Sequence, residues 1–408
     1  MIHIAHKIQL LPNQRAIRYF KQAFGCARLA YNWGLSKWQE HYKEGNKKSW
    51  MDLRKEFNSI KWTTFPFLKE VTKCATDEPF RSLNKAFQKF FRDLKKKKIS
   101  YPKFKKKRNN VGSFYLESGI VKVRGHYLYI SKLGWVKMCE SVRFEGKINN
   151  VVISYHGGKY YASFSLYISQ EEYDRTHKVN NTTGSVGIDL GLNHYATLSN
   201  GLQIDAPKPL KKHLRLLKRR HRQLSKKQHP KTKGDKTKRS NNFVKFSLRV
   251  NKLYSKITNI RKDFLHKLTS SIIKSFNTIV IEDLAVGNLV KNRRLSRALN
   301  DVSFYEFRNL LEYKSKYSNR KLFVADRFYP SSKTCSSCGN IDNELTLQDR
   351  TYLCSKCGLE IDRDYNASLN LIQVVGRICP EFTPVDLTAL LNLNNLVTSK
   401  VEAGIPRR

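Results

Sequence analysis

The sequence predicts a multidomain α+β protein: a small N-terminal β domain interrupted by helices, then an α/β domain interrupted by a cysteine ribbon. Three observations predict it. Short alternating apolar runs separated by glycines fill residues 113–168, while one comparable run stands alone at the N-terminus, with helical periodicity between the two. From Gly184 onward, strand-like runs alternate with long amphipathic stretches, as in a sheet covered by helices. Two CxxC pairs then fall just before the last helical segment.

Ile2 to Leu10 reads as a strand, ended by Pro12. Between Asn13 and Tyr42, Ile17, Phe20, Phe24, Leu29, Trp33 and Leu35 recur at roughly helical intervals. A second helical stretch runs from about Asp77 to Leu94, with Phe80, Leu83, Phe87, Phe90 and Phe91 on one face. Helix packing explains that face more simply than base stacking. Next comes a dense basic run: Lys95, Lys96, Lys97 and Lys98, then Tyr101, Phe104, Lys105, Lys106, Lys107 and Arg108. Such a run can be a solvated loop. Aromatics interleaved with cations also suit phosphate neutralisation and stacking on unpaired bases. Residues 1–12 and 113–170 then form a small barrel or sandwich holding 13–112 as an insert, and the polar stretch Ser169 to Thr183 reads as a linker.

The second domain takes residues 184–330 and 361–375. Ser185 to Leu190 and Tyr195 to Leu198 are its first strands. Leu210, Leu214, Leu217 and Leu224 mark one helix, and Leu253, Ile257, Ile260, Phe264 and Leu268 mark another, joined by a basic loop from Ser225 to Asn242. The first of these helices carries Lys211, Lys212, Arg215, Lys218, Arg219, Arg220 and Arg222, either a solvated face or a cradle for nucleic acid. Asn277 to Glu282 is a buried strand, 303–317 a helix and 321–325 a strand; a helix starts near Asn366. The ribbon occupies 331–360, and the tail 376–408 shows no readable chemistry.

The totals narrow the function. At 408 residues there is room for two or three cores. Lys and Arg number 77 against 33 Asp and Glu, a formal charge of +44, and the polyanion that best balances such a surface is nucleic acid. An acidic membrane surface is the alternative. No apolar run is long enough to span a bilayer, and Met1 to His6 lacks the features of a secretory signal. Cys26, Cys74, Cys139 and Cys379 are scattered and read as buried thiols, which fits a reducing, cytoplasmic setting.

Two motif sets carry chemistry. Cys335-x-x-Cys338 and Cys354-x-x-Cys357, each followed by glycine, form two knuckles that complete a closed tetrahedral Zn²⁺ site, structural rather than catalytic. Two redox pairs are the competing reading. The second set is Asp189 near a strand end, Glu282 at another strand end, and Asp362 and Asp364 before a helix. Singly, each could be a turn or cap residue. As an ordered set they can converge on two Mg²⁺ or Mn²⁺ ions for phosphodiester hydrolysis.

These residues resemble the TnpB family of insertion-sequence proteins, OrfB-type relatives of compact type V CRISPR effectors. The matching segments are Gly187-Ile188-Asp189-Leu190-Gly191, Ile281-Glu282-Asp283-Leu284, Tyr329-Pro330-Ser331-Ser332-Lys333-Thr334-Cys335 and Asp362-Arg363-Asp364-Tyr365-Asn366-Ala367. Tyr101 to Arg108 and Lys132 to Val136 also match. The resemblance implies a wedge β-barrel with an inserted helical recognition bundle, then an RNase H-like (RuvC) nuclease domain with an inserted zinc ribbon. It implies a protein that uses a guide RNA from the transposon end to cut target DNA beside a short adjacent motif; the oligomeric state stays open, with a monomer favoured. By motif, the catalytic metal ligands are Asp189, Glu282 and Asp364, with Asp362 as a neighbouring or alternative ligand. The adjacent motif would be read from the helical insert, with Trp50 and Lys73 as candidates. A nucleic-acid-binding regulator that cuts nothing is the reading from another class, and a strand-joining transposase is a third.

Overall fold

The computed structural model describes residues 1–107, 111–178, 182–232, 235, 237–346 and 349–378. Arg108, Cys379 and most of the 376–408 tail lie outside the described residues. The fold divides into two compact units, Met1–Tyr173 with Leu224–Lys252, and Asp174–Gln223 with Leu253 onward.

In the first unit, β1 (Ile2–Leu11) is followed by α1 (Gln14–Lys43), whose start is capped by Asn13 accepting from the Ala16 N–H. Next come α2 (Trp50–Thr64) and α3 (Cys74–Lys95), then β2 (Val111–Glu117), β3 (Lys122–Arg124), β4 (Tyr127–Ile130), β5 (Gly134–Met138), β6 (Lys147–His156) and β7 (Lys159–Ile168). All seven strands join one antiparallel sheet, in the order β2-β6-β7-β1-β5-β4-β3. The N-terminal strand sits inside this sheet, paired with β7 along its length but with β5 only through Leu10 and Leu11. No ladder joins β2 to β3 among the described residues, so the hydrogen bonding defines an open sheet rather than a closed barrel. α1 covers it through Tyr19, Phe20 and Phe24, whose rings meet Phe114.

Four details depart from the sequence reading. α2 was not anticipated; Ser49 and Asp52 form a reciprocal capping box at its start. Residues expected to be a linker form α4 (Gln170–His177), which buries Tyr173 and is capped by Ser169 accepting from the Glu172 N–H. Cys139 is exposed, while Cys26 and Cys74 are buried. On α3, Phe80, Leu83 and Phe87 are buried, but Phe91 is exposed at the end of that face.

The second unit is built on a five-stranded sheet ordered β10-β9-β8-β11-β12. Its strands are β8 (Ser185–Asp189), β9 (Ala196–Leu198), β10 (Gln203–Ile204), β11 (Thr278–Glu282) and β12 (Lys321–Ala325). β8, β11 and β12 run parallel; β9 and β10 are antiparallel. The helices are α5 (Pro209–Ser225), α6 (Asn241–Ser275, which begins in the first unit), α7 (Val286–Leu289), α8 (Ser296–Val302), α9 (Phe304–Tyr317) and α10 (Arg363–Ile378). Strand alternation gives the sheet two apolar faces. Val186, Ile188, Ile279 and Ile281 pack with Leu265 and Leu268 of α6 and Phe307 and Leu311 of α9. Val280 packs instead with Leu371 of α10. No described helix is long and apolar enough to cross a membrane.

Candidate active site

That alternation decides where the acids go. Asp189 shares the parity of Gly187, and Glu282 that of Val280, so both belong to the face covered by α10. Parallel pairing ends at Ile188 opposite Ile281, and the two carboxylates are the next residues on their strands. α10 lies directly on β8: a Cβ at Gly187 would fall 2.1 Å from the Ser368 carbonyl oxygen, which only a residue without a side chain permits. This close approach brings the first turn of α10 to the strand ends. Asp364 Oδ2 is 3.8 Å from where a Cβ on Gly191 would stand.

Asp189 and Glu282 are half-buried. Burial raises the Asp189 carboxyl well above its ordinary range, the charges of Glu282 and Asp364 raise it further, and Arg363 opposes them. Glu282 is pushed up to about 7, chiefly by burial, against an N–H from Leu190 that favours its carboxylate. Three acids in one crowded place, with little cationic relief, form an arrangement that could hold a divalent cation. All the donors are carboxylate oxygens, which suit a hard cation such as Mg²⁺ or Mn²⁺. They are set more loosely than the ligands of a single ion. Among the described residues, the four cysteines are the one group of three or more His, Cys, Asp or Glu with all ligand atoms within 4.8 Å of one another.

Asp362 is placed differently from Asp364. It is exposed and caps α10, accepting from the Tyr365 N–H at 2.9 Å. Sequence reading missed several supports of the site. Asp283, next to Glu282, pairs with Arg308 of α9 and with Arg327, which tethers the end of β11. A cavity of about 480 Å³ opens beside Glu282, with Leu284, Phe304, Arg308 and the 67%-exposed Tyr305 among its walls. Gly187 stood in the motif, but its contact with α10 is non-local.

The four thiols come together as the spacing requires. Cys335 and Cys357 sulfurs are 3.6 Å apart, as are those of Cys338 and Cys354. This is too long for disulfides and close to the roughly 3.8 Å edge of a tetrahedron with Zn–S bonds of about 2.3 Å. Gly339 and Gly358 hold positive φ of 75° and 72° and donate back to the Cys335 and Cys354 carbonyls, closing each knuckle. Backbone N–H groups of Cys357 and Lys356 draw the Cys354 thiol down to about 6, favouring the thiolate that a metal binds. A hairpin of β13 (Thr351–Leu353) and β14 (Glu360–Asp362) carries the second knuckle.

The basic candidates are dispersed. Lys95 ends α3, and Lys96, Lys97 and Lys98 follow it, exposed. Tyr101 packs on Phe87 and Phe90 rather than facing outward, whereas Phe104 is 48% exposed. Lys105 lays its ammonium 3.9 Å from the Tyr31 ring centroid, and its backbone is bracketed by Asn32, so it anchors the loop to α1. Lys106 and Lys107 are exposed. On α5, Lys211, Lys212, Arg215, Lys218, Arg219 and Arg222 are exposed and Arg220 is half-buried. Trp50 opens α2 beneath the guanidinium groups of Arg54 and Arg81, and Lys73 is exposed just before α3.

Parallel strands that deliver carboxylates to one edge, where a helix supplies another, define an α/β protein with an acidic cluster at its strand ends. Comparison with known proteins narrows this class. Residues 167–293 match a family model described as "Probable transposase" (OrfB_IS605), residues 304–371 one described as "Cas12f1-like, TNB domain", and residues 1–47 one described as "Helix-turn-helix domain". Within residues 1–47 the structure has β1 and the single helix α1. A Streptomyces pristinaespiralis protein named "Putative RNA-guided DNA endonuclease" is 31% identical over 374 residues, 90% of this chain and 88% of that protein. The Escherichia coli K12 protein named "Putative RNA-guided DNA endonuclease InsQ" is 29% identical over 390 residues, covering 90% and 91%. Among solved structures, a mini-RNA-guided endonuclease, CRISPR-Cas_phi3, aligns over 91% of this chain and 92% of its own at 11% identity, with a TM-score of 0.45. The chain belongs to the TnpB family of OrfB-type insertion-sequence proteins.

Proposed function

We propose that this protein is an RNA-guided DNA endonuclease of a transposable element. The observation that carries the reading is the convergence of Asp189, Glu282 and Asp364 from two strand ends and a helix start, in a chain whose relatives along 90% of its length are named for that activity. Two Mg²⁺ or Mn²⁺ ions at these carboxylates would supply charge stabilisation and an activated water. The chain's own residues set the geometry. Asp189 and Glu282 are fixed by strand register, Asp364 by the contact of α10 with Gly187, and Asp283 holds the end of β11 through its two arginines. Asp362 acts as the helix cap beside the site rather than as a ligand.

The four cysteines hold structural Zn²⁺. Residues 1–12 and 113–170 serve as the wedge, 13–112 as the recognition insert, 184–330 with 361–375 as the RuvC-like nuclease, and 331–360 as the zinc ribbon. Guide RNA derived from the transposon end is held by phosphate contacts from the exposed cations after α3 and along α5, with Phe104 available for stacking. Trp50 and Lys73 lie on the insert that would read the adjacent motif. The protein acts as a monomer in the cytoplasm, on nucleoid DNA.

The test is Asp189→Ala. It should abolish cutting of a guide-matched DNA in Mg²⁺ while leaving RNA binding intact. Unchanged cutting by this variant would remove the acids from the mechanism. Binding without cutting by the wild type would favour a guided regulator.

A further inference from the structure

A second cavity in the same unit, of about 360 Å³, lies between the loop after β8, the start of α5 and the helix α8. Its walls carry four cations, Lys208, Lys211, Arg294 and Arg297, and an apolar lining of Leu192, Leu214, Ala298 and Val302. One acid lines it, Asp301, and that charge is already satisfied. Its two carboxylate oxygens accept from the Leu210 and Lys211 backbone N–H groups at 3.0 Å, and Arg261 approaches at 3.3 Å. The side chains of Lys211, Arg294 and Arg297 have no ion pair or hydrogen bond among the described residues, and Lys208 Nζ reaches only the Asn193 carbonyl. Lys208 also holds a left-handed φ of 42° directly before Pro209, a strained conformation of the kind that persists where surroundings enforce it.

We propose that this cavity is a nucleotide subsite for the DNA strand being cut. The proposal rests on the endonuclease reading above. Unsatisfied cations around an apolar pocket fit a phosphate at the rim with its sugar and base inside; a bare phosphate would leave the apolar wall unused. The helix start offers no anion site of its own, because Asp301 occupies its N–H groups, so side chains must bind the phosphate. Leu192 is three residues beyond Asp189, on the loop that leaves β8, so a nucleotide here belongs to a strand passing close to the acids. This favours the DNA substrate over the guide RNA.

Photocross-linking tests it. The full chain, purified with its accompanying RNA and carrying Asp189→Ala so that the probe stays intact, is irradiated with single-stranded DNA containing 4-thiothymidine. A parallel arm uses RNA of the same sequence containing 4-thiouridine. Salt is high enough to screen loose contacts. Cross-links from the DNA are expected on peptides containing Leu192 or Ala298. They should fall by about fivefold or more in Arg294→Glu/Arg297→Glu, as loss of two charge-assisted contacts implies. Ala298→Phe fills the pocket from an exposed position without changing charge and should give the same loss with an unchanged melting temperature. Absence of these cross-links, their appearance with RNA alone, or their persistence in both variants would overturn the subsite without touching the acids. Cross-links here in a wild-type protein that never cuts would instead overturn the endonuclease reading.

Discussion

Removing zinc should stop DNA cutting although the metal takes no part in the chemistry. The ribbon's own core is small: Cys335, Tyr352 and Cys354 are buried, with Leu345, Leu359 and Ile361 packed around them. So small a core does not hold a fold without a metal, and structural zinc contributes about 10–16 kcal/mol in comparable knuckles. α10 is stapled to this ribbon. Asn366 Nδ2 donates to the Thr334 carbonyl at 2.7 Å and its Oδ1 accepts from the Ser336 N–H at 3.0 Å. Asn370 Nδ2 donates to the Ser331 and Thr334 carbonyls at 2.7 and 2.6 Å, and Gln373 donates to the Ser336 carbonyl at 2.7 Å. Asn366 and Asn370 are 0% exposed, so water does not replace these bonds while α10 stays docked.

At about 1 kcal/mol each, five such bonds couple ribbon and helix by roughly 5 kcal/mol. Losing all of it would lower the ratio of docked to undocked helix by roughly three to four orders of magnitude, and Asp364 sits in the first turn of that helix. The perturbation is extraction with a zinc-selective chelator, followed by metal-ion release measured with a chromogenic dye. Cys357→Ser is its genetic counterpart. Under single-turnover conditions with Mg²⁺ restored, cutting of guide-matched DNA should fall by at least about tenfold, amide exchange over 364–374 should accelerate, and RNA binding should persist. Released zinc with an unchanged cutting rate would refute the coupling.

Other outcomes follow from the same geometry. Asp364→Ala should abolish cutting and raise the melting temperature by relieving like-charge crowding, whereas Asp362→Ala should keep cutting and cost about 1 kcal/mol for the lost cap; comparing the two by melting and a cleavage gel separates ligand from cap. Gly187→Ala places a methyl 2.1 Å from the Ser368 oxygen and should destabilise by about 1–3 kcal/mol, with cutting lost first as α10 shifts, read by denaturation and cleavage assays. Lys314 is buried, donates to the His266 carbonyl and the Thr269 and Ser270 hydroxyls, and is pushed down to about 7 by burial. Below pH 7 folded and unfolded chains both carry its proton and the full cost of burying the charge is present. Between 7 and the ordinary lysine value only the unfolded chain is protonated, so stability should rise with pH by on the order of 1 kcal/mol per unit, a slope that Lys314→Met should lose in parallel denaturation curves.

Much of the second unit was legible because its strands are short apolar runs with sharp ends. Lys321–Ala325 and Thr278–Glu282 fall where Leu322, Phe323 and Val324, and Ile279, Val280 and Ile281, required them. The cysteine spacing was equally direct. α2 escaped because its buried face mixes Leu53 and Phe57 with Lys61, whose charge hides the period although its side chain is buried. α4 has one buried aromatic, too little for a moment-based reading. An open sheet and a closed barrel share the same alternation, and they differ only in whether distant strands bond. The role of Lys105 was also beyond local reading, since Tyr31, its partner, lies on another element.

The acids show why an ordered set carries more than its members. Asp189 is directed by parity with Gly187, Glu282 by parallel register, and Asp364 by a helix that cysteines hold from the far side. Each constraint is independent and none benefits folding: burial raises the Asp189 and Glu282 carboxyls, and bringing the three acids together raises them further. A chain of charge +44 has cations to spare, yet Arg363 is the cation that stands against them, and its guanidinium is engaged by the Thr346 carbonyl at 2.7 Å. Satisfying these carboxylates with lysine or arginine would have been easy on composition alone. The lack of such partners among the described residues leaves room for a metal, and it predicts that neutralising any one of them stabilises the fold while removing the chemistry.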